Sequence, residues 1–202
     1  MYFAGVSFLL DLHRVKNMET KRCAWCTKDI LYQAYHDEEW GIPVYEDTKL
    51  FEFLVLESFQ AGLSWLTILK RREYFREAFD GFDYKKIARY SENKVLELLS
   101  NEKIIRHKGK ISAVINNAEK FQQVQREFGS FSEYLWQFVG GEPIKNHFKT
   151  ISEIPSATEL SDKIAKDLKK RGFRFLGSTT VYAYMQAVGV VDDHTSDCWK
   201  RQ

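Results

Sequence analysis

The sequence has few of the residues that would place it outside the cell or in a membrane. Three cysteines in 202 residues are too few for a disulfide framework. No apolar run reaches the roughly 20 residues that a membrane-spanning helix needs. The first residues contain a short apolar stretch, but they lack the basic leader and the cleavage site of a secretory signal. We therefore expect a cytoplasmic protein with reduced thiols and no membrane contact.

The composition predicts a protein that folds around one substantial core. Of its residues, 44% are hydrophobic and 15% aromatic, which suffices for one domain or two closely joined lobes. The formal net charge is only +2, so a polyanionic partner would have to meet a local basic patch. We assign the fold to residues 18–202 and take residues 1–17 as an upstream extension, because Met18 opens a stretch typical of a protein start. No feature calls for an obligate partner, and we expect a monomer.

Apolar residues recur at helical spacing over most of the chain. The i, i+3, i+4 pattern runs through residues 49–79 with a break near Gly62. The same spacing returns in residues 94–100, 110–128 and 159–173. Strand-like alternation is scarce, only three prolines occur, and Ser156 or Thr158 can cap the helix that follows them. The sequence therefore predicts an all-α fold with short connections.

Cysteine and histidine residues lie near both ends of this fold. Cys23 and His36 are separated by twelve residues, and His194 and Cys198 lie one helical turn apart. Thiolates and imidazoles are the ligands that zinc prefers, and a site with four protein ligands is structural. Such a site would join the two ends of the chain. The alternative is that these are ordinary cysteines and histidines, and Cys26 is a competing ligand.

Glu57 falls on the apolar face of a predicted helix. It follows Leu54 by three residues and precedes Ala61 by four, and both belong to the inward stripe. A buried carboxylate needs a side-chain partner or a ligand, because an unpaired buried charge is costly. The alternative is a glutamate at the edge of the stripe that reaches water or pairs with an arginine. Periodicity leaves both interpretations open.

Aromatic residues cluster in the same part of the sequence. They are Trp25, Tyr32, Tyr35, Trp40 and Trp65. Flat rings stack on bases, and their polar tips form hydrogen bonds, so the cluster would suit a pocket for an extruded nucleobase. The alternative is ordinary core packing, which we assign to a second set of aromatic residues in regular apolar patterns: Phe51, Phe53, Phe75, Phe79 and Trp136.

A stretch near the end of the chain has the pattern of a helix-hairpin-helix. A basic helix end is followed by a turn between Gly172 and Gly177 and by a second helix that opens with Ser178, Thr179 and Thr180. Backbone N–H groups and the helix dipole at such a turn suit a DNA phosphate. The adjacent basic residues are Lys169, Lys170, Arg171 and Arg174.

A second basic set occurs earlier in the chain and can line the same surface. It consists of Arg106, His107, Lys108 and Lys110. The alternative is a solvated charged face. The neighbouring hairpin favours a nucleic acid as the partner.

Six motifs occur in order between about Lys21 and Cys198: "RCAW", "YHDEEWG", "LESFQAGLSWLTILKRRE", "IIRHKGKI", "LKKRGFRFLGSTTVYAYMQA" and "DDHTSDC". In this order they resemble the DNA-3-methyladenine glycosylase I family of the helix-hairpin-helix DNA glycosylase superfamily. The resemblance implies an all-helical bilobal fold that excises 3-methyladenine from alkylated double-stranded DNA by base flipping. It also implies one structural Zn²⁺ that ties the N- and C-terminal segments together.

The resemblance assigns residues to each site. The zinc ligands match Cys23, His36, His194 and Cys198, which leaves Cys26 outside. The base pocket matches Trp25, Tyr32, Tyr35, Glu57 and Trp65. We expect DNA contacts from the hairpin residues Lys170, Arg171, Gly172, Arg174, Gly177, Ser178 and Thr179.

The resemblance also implies two catalytic residues, Glu57 and Asp192. Glu57 accepts hydrogen bonds from the adenine edge, while Tyr35 and Trp65 contact the ring. Many members of the superfamily have a catalytic Asp near the place of Asp192, although an Asn can stand there in the 3-methyladenine branch. Asp192 therefore steadies the sugar cation, orients water, or only supports the zinc loop beside His194.

Members of the superfamily that also cut the DNA strand carry a lysine just after the hairpin glycines. This chain has Ser178 and Thr179 there, so we expect a monofunctional glycosylase without a Schiff-base step. The alternative function is a non-catalytic module that binds damaged DNA through the hairpin, with Glu57 in a structural role.

Overall fold

The structure of the protein, a computed structural model, describes residues 20–201. The predictions that residues 1–17 form an extension and that the fold starts at residue 18 concern residues outside this range. The helices of residues 20–201 are α1 (Ile30–Glu38), α2 (Asp47–Gln60), α3 (Trp65–Ala78), α4 (Tyr84–Ile87), α5 (Glu92–Ser100), α6 (Lys108–Phe128), α7 (Phe131–Trp136), α8 (Glu159–Lys170) and α9 (Ser178–Ala187). Short 3₁₀ turns cover Asp80–Phe82, Gln137–Val139, Ile151–Glu153 and Trp199–Arg201.

Helices are the main secondary structure of the described part of the chain, which confirms the predicted all-α class. Two very short strands, β1 (Ile144–Lys145) and β2 (Val191–Asp192), pair in parallel. They fasten the long connection between α7 and α8 to the segment after α9. No helix in residues 20–201 combines the length and the apolar character needed to cross a bilayer.

Most helices begin where a polar side chain can accept a hydrogen bond from the free N–H groups of the first turn. Ser64 caps α3, and Thr158 caps α8 in a reciprocal capping box with Ser161. Thr158 is therefore the cap, rather than Ser156. Helix α9 differs, because it follows Gly177 and has no side-chain cap.

Helix α2 lies at the centre of the core, and every residue from 50 to 59 is buried. It packs against α3, α6, α7 and α9. The five aromatic residues predicted to be ordinary core residues are all buried, namely Phe51, Phe53, Phe75, Phe79 and Trp136. The buried apolar residues form one continuous cluster, and the division into two lobes stays a prediction.

A buried ion-pair network fixes α1, α2 and α3 relative to one another. Arg72 on α3 donates to both carboxylate oxygens of Glu39, at the end of α1, over 2.7 and 2.8 Å. Its Nε also donates to Glu52 on α2 over 2.7 Å. Two-pronged arginine–carboxylate pairs set both distance and orientation. The network therefore holds the three helices that bear the predicted pocket residues.

A close backbone contact joins the segment after α1 to the end of α9. Gly189 has φ of +69°, and a Cβ on it would lie 2.3 Å from the carbonyl carbon of Ile42. Only glycine fits such an approach. On either side of it, Gly41 N–H donates to the Gln186 carbonyl and Val44 N–H donates to the Val188 carbonyl.

Candidate functional site

A cavity of about 260 Å³ opens between the first helices and α9. Helices α1, α2 and α3 and the segment before α1 form most of its wall, and α9 and the 3₁₀ turn at Ile151–Glu153 complete it. Its lining residues are Trp25, Tyr32, Tyr35, Trp40, Glu57, Gln60, Trp65, Ile151, Ile154, Ala183 and Gln186. All five predicted base-pocket residues therefore line one cavity.

Glu57 is a buried acid without a protein partner. Its side chain belongs to a residue that is 4% exposed, and Oε2 has no hydrogen-bond partner among the described residues. Burial raises the pKa of Glu57 to about 8. Neither alternative from the sequence holds, because Glu57 does not reach bulk water and forms no ion pair with an arginine in the described chain.

Aromatic rings surround this acid. The ring centroids of Trp25 and Tyr32 lie 5.0 Å apart, and those of Tyr35 and Trp65 lie 5.3 Å apart. The indole N–H groups of Trp25 and Trp65 are buried and have no acceptor among the described residues. Burial, and then the charge of Glu57, raise the pKa of Tyr35 well above its ordinary value. Tyr35 therefore keeps its proton and can donate it in a hydrogen bond.

The sequence did not identify five of the lining residues. Gln60 follows Glu57 by one helical turn, so helical spacing could have found it. Ala183 and Gln186 also lie one turn apart, on α9, but their helix was interpreted only as part of the hairpin. Ile151 and Ile154 lie in an irregular connection that carries no periodic signal.

Three of the four predicted metal ligands form a compact buried cluster. The ligand atoms of Cys23, His36 and Cys198 all lie within 4.8 Å of one another. Burial raises the pKa of the Cys23 thiol to about 12, so a thiolate there needs a nearby cation. Burial also lowers the pKa of His36, which favours the neutral ring that ligates metals.

His194, the fourth predicted ligand, lies beside this cluster rather than within its 4.8 Å limit. Its ring centroid is 5.0 Å from that of His36, and its buried Nε2 has no partner in the described chain. The Nδ1 atoms of both rings face carboxylates, at 2.8 Å for His36 with Asp37 and 2.7 Å for His194 with Asp192. The Nε2 of His36 accepts from the Cys23 backbone N–H over 3.2 Å and lies 3.5 Å from the Cys198 Sγ, whereas the Nε2 of His194 is left for another partner.

Cys26 lies apart from the cluster. Its Sγ is 3.7 Å from the carbonyl oxygen of Tyr32. Of the two cysteines in "CAWC", the structure brings only Cys23 to the histidines.

Asp192 does not line the cavity. Its Oδ1 accepts hydrogen bonds from the Nδ1 and the backbone N–H of His194, and its Oδ2 lies 3.0 Å from Arg201. Both oxygens are therefore occupied by neighbouring groups. Of the roles considered for Asp192, this geometry favours support of the loop that carries His194.

The turn between α8 and α9 is held by two asparagines of α6. Asn117 donates to the backbone carbonyl of Arg174 and accepts from its N–H, both over 2.9 Å. Asn116 donates to the Gly172 carbonyl over 2.8 Å. The exposed Phe175 has φ of +58°, which is unusual for a bulky residue. These contacts hold a turn that local sequence preferences would not maintain.

Some basic residues of this region are exposed, whereas others form ion pairs or hydrogen bonds within the protein. Lys170 and Arg174 are exposed. Arg171 is engaged by Glu127 and Asp167 at 2.6 and 2.7 Å, so its guanidinium is not free for a phosphate as predicted. Lys110 is buried, because its Nζ donates to the carbonyls at the end of α2, so it does not line the surface as predicted.

His107 does lie beside the hairpin, since its ring centroid is 6.0 Å from that of Phe175. The start of α6, which carries His107 and Lys108, and the turn before α9 are therefore adjacent. This arrangement supports one continuous surface formed by the two basic segments.

Known proteins of one kind resemble this chain. A family model described as methyladenine glycosylase matches residues 25–201. DNA-3-methyladenine glycosylase 1 of Escherichia coli is 47% identical over 178 residues, which cover 88% of this chain and 95% of that protein. DNA-3-methyladenine glycosylase of Haemophilus influenzae is 45% identical over 179 residues, covering 89% and 97%. A crystal structure of a 3-methyladenine DNA glycosylase I variant in complex with 3-methyladenine has a TM-score of 0.87 and 38% identity, covering 90% of this chain and 97% of that one.

Replacement of Glu57 by Gln should make stability less sensitive to pH. Between its ordinary pKa of 4.5 and about 8, the folded protein holds a proton on Glu57 that the unfolded chain releases. The stability of the parent therefore falls as pH rises through this window, and the Gln variant lacks that loss. We expect its advantage to grow from near zero at pH 4 to on the order of 4 kcal/mol at pH 9. Urea unfolding at both pH values measures it.

The control is Glu142→Gln, at an exposed position. It should shift stability equally at both pH values. If Glu57→Gln also changed the free energy of unfolding equally at both pH values, the burial of an unpaired acid would be contradicted.

Proposed function

The chain belongs to the methyladenine glycosylase family, and we propose that it is a DNA repair enzyme that hydrolyses the N-glycosidic bond of 3-methyladenine in alkylated DNA. The products are the free base and an abasic site. The single observation that carries this function is Glu57, a buried acid without a protein partner in a cavity walled by aromatic rings.

The cavity fits a flat cation better than a flat neutral base. Methylation at N3 gives the purine of the nucleotide a positive charge, which gains on the order of 1 kcal/mol or more over aromatic faces. With its pKa raised to about 8, Glu57 is mostly protonated near neutral pH while the cavity is empty. A bound cation favours the carboxylate, so binding releases the proton and adds an attraction that unmethylated adenine lacks.

The chemistry needs little acid catalysis. When the bond between C1′ and N9 breaks, its electron pair neutralises the purine, which is already a good leaving group. A water molecule then adds to the cation-like sugar, and its proton passes to solvent. The protein extrudes the nucleotide from the duplex and holds the base between aromatic faces beside Glu57.

Within the cavity, Glu57 accepts hydrogen bonds from the adenine edge and Tyr35 and Trp65 contact the ring. These roles fit the burial of Glu57 and the pairing of Tyr35 with Trp65. The reaction is monofunctional, since no lysine is among the lining residues. Ser178 and Thr179 stand where strand-cutting relatives carry one.

The hairpin binds the DNA backbone. Helix α9 lacks a side-chain cap, so its first N–H groups are free for a phosphate oxygen. The hydroxyl group of Ser178 forms a hydrogen bond with that of Ser161 on α8 over 2.8 Å. The backbone N–H groups are therefore the main donors to the phosphate. Exposed Lys170 and Arg174 add charge next to them, and Gly172 and Gly177 shape the turn.

The buried cluster holds one structural Zn²⁺ through Cys23, His36, His194 and Cys198. The donor set fits zinc, because two sulfurs and two imidazole nitrogens are its usual structural ligands. The unpartnered Nε2 of His194 supports its inclusion. Carboxylates at both Nδ1 atoms orient the rings as is common at metal sites. The bound metal would tie the two ends of the described chain together and takes no part in the reaction.

Incubation with methylated duplex DNA tests the function. Chromatography of the released bases should show free 3-methyladenine, and Glu57→Gln should lower its release by at least tenfold while DNA binding persists. A gel shift of intact DNA without release of any base would instead support the non-catalytic binding module. Excision by Glu57→Gln at the parent rate would contradict the role of Glu57.

Salt titration of DNA binding tests the hairpin surface. Arg174→Ala should weaken binding for all sequences and reduce the slope of log K against log salt by about 1, as expected for one lost phosphate contact. Arg171→Ala is the matched control, because its guanidinium pairs with Glu127 and Asp167. Arg171→Ala should lower stability and leave the slope unchanged. A reduced slope for Arg171→Ala together with an unchanged slope for Arg174→Ala would refute the assignment.

Elemental analysis tests the metal site. The purified protein should contain about one zinc per chain, and Cys198→Ser should lose both the zinc and several degrees of Tm. Cys26→Ser is the matched control and should keep its zinc. Loss of metal from Cys26→Ser but not from Cys198→Ser would show that the ligand set is wrong.

A further inference from the structure

One fully buried acid is used neither by the cavity wall nor by the metal cluster. Asp193 has no exposed surface and follows β2 directly. Its Oδ1 accepts from Asn146 over 2.7 Å, and its Oδ2 accepts from the Tyr182 hydroxyl over 2.6 Å and from Gln186 Nε2 over 2.7 Å. Three donors thus converge on one carboxylate, and one of them belongs to a residue of the cavity.

The contact with Asp193 fixes which way the Gln186 amide points. A glutamine amide has a donor end and an acceptor end of nearly equal shape, and either can face a neighbour. A carboxylate only accepts hydrogen bonds, so the NH₂ end of Gln186 must face Asp193. The carbonyl end is then directed away from Asp193, and no partner is found for it among the described residues.

Gln186 is also held through its backbone. Its carbonyl accepts from Gly41 N–H over 2.9 Å, and the close packing of Gly189 on Ile42 fixes the chain just beyond it. The small Ala183 one turn earlier leaves space on the same wall. Gln186 is therefore held both at its backbone and at its side-chain NH₂ group, on the side of the cavity formed by α9.

We infer that Gln186 contacts the extruded purine through its side-chain carbonyl oxygen, as a second fixed acceptor besides Glu57, and that Asp193 is the positioning residue that sets its orientation. This inference rests on the proposed function. The negative end of the amide dipole favours a ring that carries N–H donors and positive charge. The reversed amide would present N–H groups to that ring and weaken its binding.

Binding of free 3-methyladenine, followed by the fluorescence of the tryptophans in the cavity, tests this inference. Gln186→Met keeps the volume and removes the acceptor, and it should weaken binding roughly tenfold, the usual effect of one lost hydrogen bond. Asp193→Asn should have a similar effect, because an asparagine can donate to Gln186 and let the amide turn over. The double variant should be no weaker than Gln186→Met alone, since Asp193 acts through Gln186.

Tyr182→Phe is the matched control, because it removes another donor to Asp193 without touching the cavity. It should lower Tm and leave 3-methyladenine affinity unchanged. Because Asp193 adjoins His194, the zinc content of every variant is measured as well, and it should match that of the parent.

Unchanged affinity in Gln186→Met, in a parent that binds 3-methyladenine, would overturn the inference and leave the proposed function intact. Losses of affinity that add up in the double variant would also overturn the inference, because Asp193 would then not act through Gln186. A parent that neither binds nor releases 3-methyladenine would overturn the proposed function itself. If Asp193→Asn does not fold, Gln186→Met still decides the matter.

Discussion

The proposed site depends on one buried acid that has no protein partner among the described residues. Helix α2 carries two buried glutamates five residues apart, and the fold treats them differently. Glu52 accepts from Arg72 and Arg76 and lies near Lys49, so its charge is compensated within the protein. Glu57 has no such partner among the described residues and faces a cavity between aromatic rings. The fold compensates one buried acid on this helix and leaves the other open to the cavity, as the proposed function requires.

The cavity requires both ends of the described chain. Its aromatic wall comes from residues 25–65, and its opposite wall from residues 151–186. The histidine and cysteine cluster and the contact of Gly189 with Ile42 join the N-terminal segment to the chain that follows α9, and the β1–β2 pair fastens the connection before α8 to that same stretch. Two consecutive acids serve this junction, since Asp192 holds the loop of His194 and Asp193 holds Gln186. Correct placement of the chain ends is thus a condition for correct geometry in the cavity.

Helix α9 connects the proposed DNA surface to the cavity. Its uncapped first turn lies in the hairpin, and its second half carries Ala183 and Gln186. A helix is a rigid spacer with a rise of about 1.5 Å per residue, so Ser178 and Gln186 keep a separation of roughly 12 Å along its axis. A backbone phosphate held at the start of α9 therefore has a defined position relative to the cavity.

The sequence by itself determined what depends on local interactions. Helical periodicity placed Glu57 on the apolar face of its helix and Phe51 in the core, and capping preferences limited the cap of α8 to Ser156 or Thr158. The order of the motifs identified the family. The tertiary structure alone decided which polar groups find partners, because those partners lie far away in the chain. It paired Arg171 with Glu127, turned Lys110 inward, and brought Gln186 to the cavity with its amide held by Asp193. No local pattern encodes such pairings, since they follow from how the helices pack.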